Sequence, residues 1–169
     1  MNEDVLGKAR LARKASHKLS TLDVNRKNEA LGAIAAAIND SREKIIKANQ
    51  EDREKAAGDG LAKPLLDRLK LDENKIESII TGLHSLAHLQ DPVGRTLWAN
   101  KLDEGLMLYK GTVPIGVLGV VFESRPDVVP QVAGLSLKSG NAVLMKGGSE
   151  ALNTNRVLVE AIQIGRAHV

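Results

Sequence analysis

The sequence contains no cysteine. Disulfide frameworks, thiolate zinc sites and a cysteine nucleophile are therefore excluded within these residues. Aromatic residues are nearly as scarce: Trp98, Tyr109 and Phe122 are the only ones in 169 residues, too few for a platform on which bases stack. No apolar run approaches the roughly 20 residues that cross a bilayer. The opening Met1-Asn2-Glu3-Asp4 is too acidic for a secretory signal. Charge of one sign is missing too. The net charge of +3 and pI near 9.2 come from 24 Lys and Arg spread among 21 Asp and Glu, with no dense basic tract to grip phosphates. What remains is 43% hydrophobic and 27% charged, the balance of one soluble globular domain. No nucleic acid and no membrane is expected as a partner, and the cytoplasm is the expected location.

The pattern changes near Asp91-Pro92. Before it, apolar residues recur at three- and four-residue spacing, which predicts helices. One spans about Val5 to Leu19, and a second starts near Asp23 with Leu31, Ile34, Ala35 and Ile38 on one face. Asn39-Asp40-Ser41 breaks that helix and offers a cap for a third, Arg42 to about Ala57, which Gly58-Asp59-Gly60 ends. Its Arg42, Lys44, Lys47, Arg53 and Lys55 alternate with Glu43, Glu51, Asp52 and Glu54, which reads as a solvated face. Pro64 opens a short helix through Leu69. Asp72 caps a last one carrying Ile76, Ile79, Ile80, Leu83 and Leu86.

After Pro92 the period shortens. Gly105 to Lys110 reads as a strand, and Val117 to Phe122 is apolar at consecutive positions, as in a parallel strand buried on both faces. A helix over Val128 to Lys138, with Val132, Leu135 and Ser136 in register, leads to a second such strand, Ala142 to Lys146. Another helix follows from Ser149 or Glu150 to about Gln163. Strand, helix, strand and helix with short links make a βαβ unit, so the fold class is α/β with a helical layer from the first half.

In such sheets ligands bind where strands end and helices begin. Two segments hold that position, Phe122-Glu-Ser-Arg-Pro-Asp127 and Lys146-Gly-Gly-Ser-Glu150, and neighbouring strands place them side by side. Lys146 and Ser149 suit ribose or phosphate oxygens, and Gly147 and Gly148 let backbone come close to a ligand. The alternative is a plain strand-to-helix turn with Ser149 as cap and Lys146 solvated. For the other segment the alternative pairs Arg125 with Glu123 or Asp127 and starts a helix at Pro126. There is no G-x-G-x-x-G and no P-loop. His84 and His88 have metal-pair spacing, but no carboxylate completes a ligand set, so no metal is expected; His17 and His168 stand alone.

Val113-Pro-Ile-Gly-Val-Leu-Gly-Val-Val-Phe-Glu-Ser-Arg-Pro-Asp127 together with Ser139-Gly-Asn-Ala-Val-Leu-Met-Lys-Gly-Gly-Ser-Glu-Ala151 resembles the gamma-glutamyl phosphate reductase family of the aldehyde dehydrogenase superfamily. The likeness extends to Asp67-Arg68-Leu69 and to Asp91-Pro92-Val93-Gly94, and stops before 164–169. It implies the N-terminal part of an aldehyde-dehydrogenase-like chain. Residues 1–90 form a helical layer, 91–114 an oligomerisation hairpin, and 115–169 the first half of a Rossmann-like parallel-sheet cofactor domain; the catalytic domain is absent.

The reaction implied is NADPH-dependent reduction of L-glutamyl 5-phosphate to L-glutamate 5-semialdehyde and phosphate, in proline biosynthesis. A cysteine thiolate displaces phosphate and the resulting thioester takes a hydride from NADP(H). That cysteine is not in this chain. By the same resemblance Lys146 lies at the adenosine ribose, and Ser124 stands at or near the superfamily's oxyanion-stabilising asparagine. Phe122, Glu123 and Arg125 line the same cofactor and substrate cleft and with Ser124 count among the cofactor-binding residues, and Gly147, Gly148, Ser149 and Glu150 complete the cofactor loop. NAD-preferring relatives carry a glutamate where Ser149 stands, so a small neutral residue there favours NADPH. A homo-oligomer through Leu97, Trp98, Leu106, Leu108 and Tyr109 is implied, with glutamate kinase as a functional link. The other readings of this fold are a non-catalytic nucleotide- or partner-binding module and a helical interaction protein with no ligand. Exposed strand faces predict low solubility unless other chains cover them.

Overall fold

In the computed structural model, which describes residues 3–167, the helix that carries the core begins at Asp23. Its carboxylate accepts hydrogen bonds from the backbone N–H groups of Asn25 (2.9 Å) and Arg26 (3.0 Å), donors that a first helical turn leaves free. Helix α2 then runs Val24–Asp40, and its expected face of Leu31, Ile34, Ala35 and Ile38 is buried. Around it in the chain come α1 (Glu3–Leu19), α3 (Arg42–Gly58), α4 (Lys63–Leu69) and α5 (Glu73–His88). Met1, Asn2 and His168 lie outside the described residues.

Packed on α2 are Ile45 of α3, Ile76, Ile79 and Leu83 of α5, Val129 of α6 (Val128–Lys138), and Leu158 and Ala161 of α7 (Leu152–Ala167). The same core thus joins residues from before and after Asp91. A second polar level of contact adds to it. Lys27 of α2, 1% exposed, reaches Asp91 at 2.9 Å, and Asp91 accepts the Val93 N–H at 2.9 Å. Lys138 at the end of α6 donates to Asn28 Oδ1 at 2.7 Å and to the Ala87 carbonyl at 3.0 Å.

Strands β1 (Thr96–Asp103) and β2 (Leu106–Gly111) pair antiparallel through Glu104-Gly105, with Gly105 at φ +76. Every residue of both is exposed, and the hairpin stands apart from the second sheet. That second sheet is the parallel pair β3 (Val117–Val121) and β4 (Ala142–Lys146), with α6 as the crossover. Asn141 sets its register: Oδ1 accepts the Gly116 N–H at 2.7 Å while the Ala142 N–H reaches the Gly116 carbonyl at 2.9 Å.

Four expectations are corrected. Strand β3 is not buried on both faces: Val121 is 77% exposed, because β4 alone pairs with it among the described residues. In α6, Leu135 faces solvent rather than the core, since side-chain-free Gly134 receives the methyl groups of Leu83, Leu86 and Leu31 and turns that face inward. Ser41 makes no side-chain cap on α3, because its backbone is still closing α2 through the Ala37 carbonyl. Pro126 lies in the turn before α6 rather than at its first position, and the helix begins after Asp127.

Candidate functional site

The parallel register brings the two strand ends together. Val121 pairs with Lys146, and the next N–H, that of Phe122, donates to the Lys146 carbonyl at 3.1 Å. Beyond that bond the Phe122 ring packs on Gly147, and a side chain of the second loop reaches back to the first. The Glu150 carboxylate accepts from the Ser124 backbone N–H at 2.5 Å and from its hydroxyl at 2.9 Å. Ser124 is 3% exposed and has φ +45, the one non-glycine residue with positive φ among those described. Such a conformation is uncommon for a residue with a Cβ and persists where its surroundings hold it.

Burial alone would raise the Glu150 pKa. Its own backbone N–H, the two Ser124 donors and the charge of Lys146 outweigh that and keep its carboxyl below the usual carboxylate value. Glu150 is therefore an ionised acceptor, and the Ser124 hydroxyl proton is committed to it. A donor role for that hydroxyl toward a substrate oxyanion requires this bond to open.

The glycines act differently from the expectation. A Cβ on Gly147 would collide with the Asn155 side chain and press on the Phe122 ring, and one on Gly148 would collide with the Glu150 carboxylate. The space is filled by the protein's own side chains, so the glycines let Phe122, Asn155 and Glu150 close around the loop rather than leave room beneath it. Ser149 makes no cap; a short 3-10 turn, Ser149–Ala151, precedes α7 with Gly148 at its cap position.

Lys146 and Ser149 are exposed, and neither has a hydrogen-bond or ion-pair partner among the described residues. An exposed cation and an exposed hydroxyl, with the neighbouring Glu150 carboxylate turned to Ser124, match a phosphorylated ribose in chemistry. Arg125 is partly committed, bonding Asp127 at 3.0 Å, and Glu123 is exposed. His84 and His88 are exposed, and no group of three metal-ligating side chains exists among the described residues. Cavities of about 390 and 500 Å³ lie elsewhere, by Arg53 and Lys70 and between His17 and Ile115 respectively.

Sequence reasoning missed the residues that hold this loop from behind. Asp52, read as part of a solvated face, is 4% exposed and binds the start of α7. Asn49 is 2% exposed and bridges the Leu69 carbonyl and the Leu71 N–H. Asn155 packs on Gly147 with its Oδ1 buried and unpartnered. The polar run Asn153-Thr154-Asn155, interrupting an otherwise amphipathic helix, was the available signal.

A parallel βαβ unit with a lysine at the second strand's end and a layer of helices sharing its core is the fold of the aldehyde dehydrogenase class. A crystal structure of salicylaldehyde dehydrogenase from Pseudomonas putida G7 superposes with TM-score 0.73 over 96% of this chain and 31% of that one, at 14% identity. No protein-family model matches the chain. Within the class, the chain is homologous to the gamma-glutamyl phosphate reductases. It is 55% identical over 160 residues to that protein from Pelotomaculum thermopropionicum, covering 95% of this chain and 37% of the relative. The crystal structure of the Thermotoga maritima gamma-glutamyl phosphate reductase matches 97% of the chain and 40% of that chain, with TM-score 0.94 and 37% identity. The chain thus spans well under half the length of the relatives it matches.

Proposed function

We propose that this chain is the N-terminal part of an NADPH-dependent gamma-glutamyl phosphate reductase. The complete protein reduces L-glutamyl 5-phosphate to L-glutamate 5-semialdehyde and phosphate in the cytoplasm, a step of proline biosynthesis. Glutamate kinase is its functional link as the source of the acyl phosphate. The observation that carries this reading is Lys146, an unpaired cation at the end of a parallel strand, next to Phe122 and beside a neutral Ser149.

In this reading Lys146 Nζ donates to oxygens of the adenosine ribose and its 2′-phosphate, and Ser149 adds a hydroxyl without opposing charge. Gly147 and Gly148 keep the loop tight, and Glu150 ties it to Ser124. Phe122, Glu123 and Arg125 line the cleft shared by cofactor and substrate. When bound, NADPH supplies the hydride. The chain has no cysteine, so the nucleophile belongs to residues outside it. Residues 1–90 then serve as the helical layer, 91–114 as the oligomerisation arm and 115–169 as the first half of the cofactor domain. The hairpin supports that arm, since it exposes Leu97, Trp98, Leu106, Leu108 and Tyr109 with no core of its own.

The test is a chimera in which this chain replaces the matching residues of the Pelotomaculum relative. Formation of NADPH from glutamate 5-semialdehyde, phosphate and NADP⁺ is the expected result. A folded chimera that binds neither nicotinamide dinucleotide overturns the reading. Binding without turnover, where the parent turns over, points to the non-catalytic module instead.

A further inference from the structure

Besides the packing of the Phe122 ring on Gly147, the two strand-end loops are tied by the hydrogen bonds of one side chain. Glu150 sits at the start of the segment that leads into α7, yet its carboxylate turns back 26 positions to Ser124 and takes both the N–H and the O–H. Three further observations concern the same contact. Ser124 holds a left-handed φ of +45 that a residue with a Cβ rarely adopts. Gly148 has no room for a Cβ because the Glu150 carboxylate occupies that place. Ser124 is 3% exposed, so its N–H has no access to water and would be left without an acceptor if Glu150 withdrew.

We infer that Glu150 is a positioning residue rather than a cofactor ligand: its carboxylate latches the Phe122–Arg125 loop onto the Lys146–Ser149 loop and so fixes the spacing between substrate-facing and cofactor-facing groups. The inference rests on the reading of these loops given above. Its direct physical content is local. Two hydrogen bonds to an ionised acceptor, each stronger than a neutral pair, offset the left-handed backbone at Ser124 and hold it in one state. Both Ser124 donors go to one oxygen, Oε1; glutamine keeps that acceptor at the same reach and gives up the charge and the second acceptor, so the latch survives Glu150→Gln in weakened form and not Glu150→Ala. Gly148→Ala displaces the carboxylate while leaving Glu150 in the sequence, an independent way to open the same contact.

Amide hydrogen exchange across residues 122–127 reads the latch without any ligand. In the chimera, Glu150→Ala and Gly148→Ala are expected to speed exchange there about tenfold, while Glu150→Gln stays closer to the parent rate than to the alanine rate. In turnover, both opening variants are expected to lower kcat by roughly tenfold or more through misplacement of the cleft. Glu150→Gln is expected to restore kcat with little change in KM for NADPH. Unchanged exchange in both opening variants overturns the latch. So does a Glu150→Gln enzyme as slow as Glu150→Ala, which would assign the effect to charge. A parent chimera with no turnover counts against the functional reading alone, because the exchange measurement still decides the latch.

Discussion

The Asp52 carboxylate and the backbone of Thr154, 102 positions apart, meet at 2.8 Å, and the Thr154 hydroxyl donates to the same Oδ2 at 2.7 Å. Its other oxygen takes the Asn153 N–H at 3.3 Å. A residue of α3 is thus the N-terminal cap of α7, supplied from another helix instead of from the residue before it. Asp52→Ala leaves a buried N–H and a buried hydroxyl without an acceptor. The expected loss is about 2 to 3 kcal/mol of stability, read from the urea midpoint, whereas the neighbouring exposed Glu51→Ala should change it by less than about 0.5 kcal/mol.

Asp91 links stability to pH. Burial alone would raise its pKa, but the Lys27 hydrogen bond, the Val93 N–H and the charges of Lys27 and Lys138 outweigh this and hold the carboxyl below its ordinary value. A carboxyl with a depressed folded pKa contributes stability that is complete above the unfolded value near 4 and is lost as pH falls through the folded one. Asp91→Asn strands the Lys27 ammonium and is expected to cost about 3 kcal/mol near neutral pH. It should also flatten the fall of Tm below about pH 4. Adding Lys27→Met to Asp91→Asn should recover part of the loss, which a double-mutant cycle will show.

In the proposed function, cofactor choice turns on one side chain. Placing a carboxylate at Ser149 in the chimera, as Ser149→Glu, sets a negative charge beside the ribose and opposes a 2′-phosphate. The ratio of kcat/KM for NADPH to that for NADH is expected to fall by at least about tenfold, equivalent to about 1.4 kcal/mol. An unchanged ratio would show that Ser149 does not face the ribose.

The hairpin offers a test of assembly. Trp98→Glu puts a charge in a ribbon whose apolar side chains are open to solvent on both strands. In the chimera it should shift the species seen in sedimentation velocity toward smaller mass. The same mass distribution before and after would count against the hairpin as an arm.

Much of this was legible because it is local. The face of α2 and its Asp23 cap follow from spacing within one helix, and the Lys146 and Phe122 loops follow from two apolar strands with a helix between. Asp52, Lys27 and Lys138 were not legible, since what buries them lies 51 to 110 positions away. In Glu51-Asp52-Arg53-Glu54 the alternating charges describe a helix in water, and nothing in that run singles out the carboxylate that faces inward. Leu135 and Val121 failed for the opposite reason. Their apolar character records what a face favours, while which neighbour reaches it depends on Gly134 and on the strands available to pair. The Ser124 to Glu150 contact needed the three-dimensional register, because its two segments were each readable and their meeting was not.

The change of texture at Asp91-Pro92 invites a cut there, as though a helical cover could be lifted from a cofactor unit. The Asp52 cap argues otherwise. The helix that follows the Lys146 loop has its first turn capped by a carboxylate upstream of that boundary, so the placing of α7 is partly written in the half before Asp91. Recombination between relatives at this junction would exchange a cap for a stranger to its helix, and the residues on its two sides are expected to be inherited as one unit.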